Sequence, residues 1–207
     1  MNTPRFITVE GIEGVGKSTH ISALCELLRT RGIDVVATRE PGGTELGDHI
    51  RGLLLDGGIP AMGPDTELLL IFAARAEHLR QVVLPALAAG RWVVSDRFTD
   101  ATYAYQGAGR GIAGQRIADL EQWVQNDFRP DYTLLLQAGI ETALSRIRSR
   151  GPEDRFEREK ADFFARVQQA YLERANREPR RFHVIDANGG LDDVRRRIAD
   201  VVETLVT

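Results

Sequence analysis

This chain has little of what would place a protein outside a reducing interior. One cysteine, Cys25, excludes an internal disulfide. It falls in the stripe Ile21, Leu24, Cys25, Leu28, one face of a helix, which gives it a packing role. The longest apolar run, Leu68 to Ala74, is too short to span a bilayer. The opening Met1-Asn2-Thr3-Pro4-Arg5 has no apolar core of the kind that a secretory leader carries. Positive charge is not in excess: the formal net charge of −3 gives no bulk attraction to nucleic acid or to a membrane surface. The histidines, His20, His49, His78 and His183, show no metal-ligand spacing. Lysine is nearly missing, occurring only at Lys17 and Lys160 among 27 basic residues. The expectation is a cytoplasmic protein with no nucleic-acid or membrane partner, its 207 residues forming one α/β domain.

One of those two lysines closes the informative motif. Residues 11–18 read Gly-Ile-Glu-Gly-Val-Gly-Lys-Ser, a full match to G-x-x-x-x-G-K-[ST], and the phosphate-contacting stretch runs Gly11, Ile12, Glu13, Gly14, Val15, Gly16, Lys17, Ser18, Thr19. It lies between an apolar run, Phe6-Ile7-Thr8-Val9, and a segment of helical periodicity, the context the motif needs. Glycines let successive backbone N–H groups turn inward on phosphate oxygens, and the following helix adds its positive end. Lys17 supplies charge for the β- and γ-phosphates, and the Ser18 hydroxyl suits Mg²⁺. ATP with Mg²⁺ is the expected donor.

Strand and helix patterns alternate along the chain. Short apolar runs predict strands at Phe6–Glu10, Asp34–Arg39, Trp92–Asp96, Tyr132–Gln137 and Phe182–Asp186, as parallel strands buried on both faces should read. Helices are expected at Lys17–Thr30, Leu46–Leu55, Thr66–Ala89, Gly114–Asn126, Glu141–Arg150, Glu157–Glu178 and Leu191–Leu205. Right-handed crossovers then give a doubly wound sheet. Leu68 to Ala74 is apolar around the whole helix, so that helix needs cover on more than one side.

Sites in such sheets gather at the carboxyl ends of the strands. After the second strand comes Arg39-Glu40-Pro41-Gly42-Gly43-Thr44, and after the third Asp96-Arg97-Phe98, with Asp96 placed as a second Mg²⁺ ligand. An anionic second substrate needs guanidinium forks, and Arg39, Arg51, Arg75 and Arg97 are available. Arg146, Arg148, Arg150 and Arg155 surround Gly151-Pro152. They read equally as a mobile lid or as a solvated charged face.

With these stretches in view, the chain resembles thymidylate kinases of the bacterial type. The likeness rests on Glu10 to Thr19, Thr38 to Thr44, Phe72-Ala73-Ala74-Arg75, Asp96-Arg97-Phe98, and above all Ala104-Tyr105-Gln106-Gly107-Ala108-Gly109-Arg110-Gly111. Phe128-Arg129-Pro130-Asp131 continues it, and the order is consistent nearly end to end. A GTP switch would need an Asn-Lys-x-Asp motif, and the chain has no Asn-Lys pair; a kinase for another nucleotide would differ only in the base-reading residues.

The resemblance implies a P-loop NTPase fold with five parallel strands flanked by helices, and an arginine-bearing lid at about 146–158. It also implies transfer of the γ-phosphoryl group of ATP to dTMP for dTTP synthesis, by a homodimer whose contact includes the helix 66–89. By the same resemblance Lys17, Arg97, Arg150, Arg155 and Glu13 act in catalysis, and Ser18 and Asp96 hold the metal. Arg39, Arg51 and Arg97 hold the dTMP phosphate, with Glu40 at the same turn. Arg75 reads the thymine beside Thr102 and Gln106, and Tyr105 excludes a 2′-hydroxyl. One departure stands out. Where many relatives carry a thymine-stacking phenylalanine four residues before this arginine, the chain has Ile71. Phe72 is the favoured stacking ring and Ile71 the alternative, since one helical step turns a side chain by about 100°.

Overall fold

In the computed structural model, which describes residues 3–56, 62–149 and 154–206, five strands form one all-parallel sheet. They are β1 (Phe6–Glu10), β2 (Val35–Arg39), β3 (Trp92–Asp96), β4 (Tyr132–Gln137) and β5 (Phe182–Asp186), in the order β2-β3-β1-β4-β5. The register sets Ile7 beside both Val94 and Tyr132. Alternation along the pleat sends neighbours to opposite layers. Ile7 and Val9 join the larger core with Leu24 and Leu28, whereas Phe6 and Val93 pack with Leu79, Val83 and Phe98 on the other face. Helices therefore cover both faces, and all five residues of β1 are buried.

Among the described residues the helices are α1 (Lys17–Thr30), α2 (Glu45–Leu55), α3 (Pro64–His78), α4 (Leu84–Ala88), α5 (Thr99–Thr102), α6 (Gly114–Gln125), α7 (Ile140–Arg148), α8 (Ala161–Arg177) and α9 (Leu191–Val206). Their ends follow local chemistry. The Thr44 side chain caps α2 by accepting from the Gly47 N–H at 3.0 Å.

Three expectations change. The long helix expected over 66–89 is interrupted by a π-helical stretch, Leu79–Val83. Pro85 just beyond it has no N–H to donate and its ring crowds the preceding turn, which a widened turn relieves. The helix expected from Glu157 begins only at Ala161. Before it, the Asp154 carboxylate accepts the backbone N–H groups of Phe156 and Glu157 and holds a turn instead. The glycine-rich stretch after β3, without any assigned element in the sequence reading, is helical: α5 runs into a π-helix, Tyr103–Gly109. Its glycines serve close packing, since a Cβ at Gly109 would come within 2.6 Å of the Phe163 ring on α8.

Candidate active site

The phosphate loop connects β1 to α1. Gly14 has φ 76°, in the left-handed region, and a Cβ there would collide with the Ala143 carbonyl of α7. Gly16 occupies the N-cap of α1 with no side-chain cap, and the first turn carries no acid. The leading N–H groups of α1 therefore remain as an anion cradle. Lys17 folds back over the loop, its ammonium donating to the carbonyls of Gly11 at 3.0 Å and Ile12 at 2.9 Å. Burial, with the Arg97 guanidinium acting in the same direction, pushes Lys17 down to about 8.

Ser18, in the first turn of α1, and Asp96, at the end of β3, line the same cleft as Lys17. The Oδ1 atom of Asp96 is buried and has no hydrogen-bond partner. A hard cation bound jointly by a hydroxyl, this carboxylate and phosphate oxygens would satisfy it. Among the described residues no cluster of three or more His, Cys, Asp or Glu side chains offers an all-protein metal cage.

Arg97 follows with φ 71°. Its guanidinium donates to the Gly11 carbonyl at 2.9 Å, to Glu13 at 2.8 Å, and to the hydroxyls of Tyr171 at 3.1 Å and Tyr105 at 3.2 Å. Tyr105 in turn donates to Glu13 at 2.5 Å, and its ring lies 4.8 Å below the guanidinium. Arg39 and Arg51 border the same cleft. Arg39 pairs with Asp48 at 2.9 Å, and Arg51 donates to the Pro41 carbonyl at 3.0 Å. Burial first, then the like charges of Arg39 and Arg97, hold Arg51 below the usual arginine value. Three guanidinium groups converging on one space call for an anion between them.

Deeper in, Arg75 is 1% exposed and held on every side. It donates to Glu40 at 2.7 Å, Thr102 at 2.9 Å and Gln125 at 3.5 Å, between the rings of Phe72 at 4.7 Å and Phe98 at 5.0 Å. Burial alone would raise the Glu40 carboxyl, but Arg75 and His78 outweigh it and hold it below the usual carboxylate range. His78 bridges Glu40 at 2.9 Å to Thr38 at 2.6 Å. This chain of contacts fixes Arg75 before any ligand arrives.

Most of the predicted residues line one cleft, whereas the side chains of Ile12 and Val15 pack in the core, and three further positions differ. Ile71 rather than Phe72 lines the cleft; Phe72 packs with Leu68, Ile112 and Ile117 in the core, its ring turned to Arg75. There it packs under the Arg75 guanidinium and adds nothing to the cleft wall. Arg155 is engaged by Glu67 on α3 at 2.5 Å and by the Leu54 carbonyl at 2.8 Å, and among the described contacts it donates to no residue of the phosphate loop. Arg150 lies outside the described residues.

Sequence reasoning passed over Glu10, Tyr171, His78 and Glu67. Glu10 carried a signal, a charged residue closing an apolar strand directly before the phosphate loop. It accepts from the Phe98 N–H at 2.8 Å and the Tyr171 hydroxyl at 2.7 Å, and burial, then Asp100, raises it to about 8. Tyr171 sits mid-helix on α8, where an apolar-face tyrosine gives no sign that its hydroxyl is used.

Comparison with known proteins bears on the family and the fold. The thymidylate kinase family model matches residues 9–198. A thymidylate kinase of Ruthia magnifica is 51% identical over 205 residues, covering 99% of this chain and all of that protein. One from Thiobacillus denitrificans is 55% identical over 201 residues, covering 97% of each. Among solved structures, the thymidylate kinase of Ehrlichia chaffeensis superposes with a TM-score of 0.80 at 33% identity over the whole of both chains.

Proposed function

The chain belongs to the thymidylate kinase family, phosphorylating dTMP to dTDP with ATP as donor, and from there we propose how its cleft carries out the transfer. The uncapped start of α1, the loop amides and Lys17 hold the β- and γ-phosphates of ATP. The Ser18 hydroxyl and the Asp96 carboxylate would hold Mg²⁺, which neutralises phosphate charge when bound. Arg39, Arg51 and Arg97 clamp the phosphate of dTMP. Arg75, Thr102 and Gln106 face the thymine with Ile71 as the apolar wall, and Tyr105 closes the space that a 2′-hydroxyl would need.

The attacking phosphate oxygen is already anionic at neutral pH, so no strong general base is required. Catalysis comes from alignment and from positive charge around the transferred group. Arg97 is central to that alignment: one guanidinium touches the Gly11 carbonyl of the ATP loop and, through Glu13 and Tyr105, the acceptor side. Among the described residues, Lys17 and Arg97 bring positive charge to the loop, while Arg155 is engaged by Glu67. The observation that carries this reading is that the lysine of the phosphate loop and three convergent arginines line one cleft, with the orphaned Asp96 oxygen among them.

We also read the protein as a cytoplasmic homodimer. Leu46 and Leu53, two turns apart on α2, are 55% and 48% exposed, and Leu69 on the adjoining α3 is 57% exposed. Apolar side chains of that size on neighbouring helices suit a second copy.

A coupled assay across dTMP, dUMP, AMP and dGMP tests the substrate. The expected result is turnover of dTMP far above the purines, lost on Mg²⁺ removal and reduced by at least about 10²-fold in folded Lys17→Ala. A folded mutant keeping a tenth of wild-type kcat would refute the role of Lys17.

A further inference from the structure

Glu67 on α3 is fully buried, yet the transfer chemistry makes no use of it. Its two carboxylate oxygens have different tenants. Oε1 accepts from Gln106 Nε2 at 2.7 Å, with Arg110 Nε at 3.4 Å, and Oε2 accepts from Arg155 at 2.5 Å. Gln106 belongs to the base pocket, whereas Arg155 belongs to the turn before α8. That turn is also pinned to the end of α2, because the Arg155 Nε donates to the Leu54 carbonyl at 2.8 Å. The Phe156 ring lies under the Arg155 guanidinium at 4.6 Å and against the Tyr105 ring at 6.0 Å. Asp154 and Phe156 line the cleft together with Arg75, Thr102 and Gln106.

We propose that Glu67 is a positioning residue that latches this turn over the nucleoside of the acceptor through Arg155, so that base pocket and roof close as one unit. The assignment rests on the acceptor site described above. A carboxylate only accepts hydrogen bonds, so it draws the amide nitrogen of Gln106 and leaves the amide oxygen for the cleft. An acceptor there matches the imide N–H of a thymine ring. The same carboxylate has Arg110 at the edge of Oε1, but the close ion pair at Oε2 is supplied by Arg155, and only when the turn is down. The roof and the orientation of Gln106 therefore depend on one group.

Titration of dTMP by calorimetry, without ATP, separates this role from a phosphate-contacting one. Loss of a charged hydrogen bond is typically about 10- to 100-fold, and Arg155→Met is expected to weaken dTMP by that much while ATP binding changes less than about threefold. Arg155→Lys should recover part of the loss. Glu67→Gln should weaken dTMP similarly, and the double variant should be no weaker than the worse single one, because the two residues share one interaction. Wild-type dTMP affinity in folded Arg155→Met, or losses that multiply in the double variant, would overturn the latch. If Glu67→Gln does not fold, the Met and Lys variants of Arg155 decide alone. Absence of dTMP binding by the wild-type protein would refute the acceptor site itself, a separate outcome.

Discussion

Lys17 offers a proton count that reports on the phosphate loop. Folded back on two carbonyls, its ammonium is held down to about 8 by burial, with Arg97 adding to the effect. Bound triphosphate reverses the balance, because an anion beside the ammonium favours its charged form. With ATP in place the lysine should return to at least the ordinary value of about 10.4. At pH 8 about half of the Lys17 side chains lack the proton in the free protein, so ATP binding should take up about 0.5 proton. Uptake should fall to about 0.1 at pH 7 and rise to about 0.9 at pH 9. The same linkage makes ATP affinity decline above pH 8, by about tenfold per pH unit once the free lysine is mostly neutral. Calorimetric titration with ATP in two buffers of different ionisation enthalpy measures the uptake directly, and Lys17→Met should abolish it. Buffer-independent heats at pH 8, or uptake that persists in Lys17→Met, would refute the argument.

Three further outcomes follow. Tyr105→Ala should reduce the preference for dTMP over its ribo analogue from about 10- to 100-fold to within about threefold, whereas Tyr105→Phe should keep most of it; equal use of both sugars by the wild-type enzyme would contradict the filter. Glu10, raised to about 8 from an ordinary 4.5, contributes stability that is full below pH 4.5 and is lost as pH rises through 8. Glu10→Gln should therefore flatten the fall in urea stability between pH 5.5 and 8.5, by about 1–3 kcal/mol, and parallel slopes would count against it. Leu69→Asp should convert a dimer to monomers in sedimentation; an unchanged mass would remove that helix from the interface.

The sheet was legible because its strands are short apolar runs of the kind parallel packing demands, and the observed β2 differs from its expected start only at Asp34. The phosphate loop was legible because its glycines and lysine are local requirements. Tertiary requirements left fainter traces. The stretch 103–109 has the composition of a loop, yet packing against Phe163 makes it a π-helix. Ile71 and Phe72 are both apolar neighbours on α3, and only the position of Arg75 between Phe72 and Phe98 decides which one meets the cleft. Glu67 could not be told from an ordinary helix-surface acid, because its three partners lie 39, 43 and 88 residues away along the chain.

The positive φ of Arg97 has a consequence for how position 97 responds to substitution. Along a regular strand Asp96 and Arg97 would project to opposite faces. Instead the left-handed turn at Arg97 brings both to one cleft, where the proposed function uses one at the metal end and the other at the acceptor end. A library randomised at 97 therefore faces two filters that rank residues differently. Backbone geometry favours Gly and Asn and disfavours Val and Ile, while chemistry accepts only a guanidinium. Lysine, the nearest substitute in charge, fits neither filter well. Its single ammonium cannot span the Gly11 carbonyl and the Glu13 carboxylate as the fork does, and the backbone strain would remain.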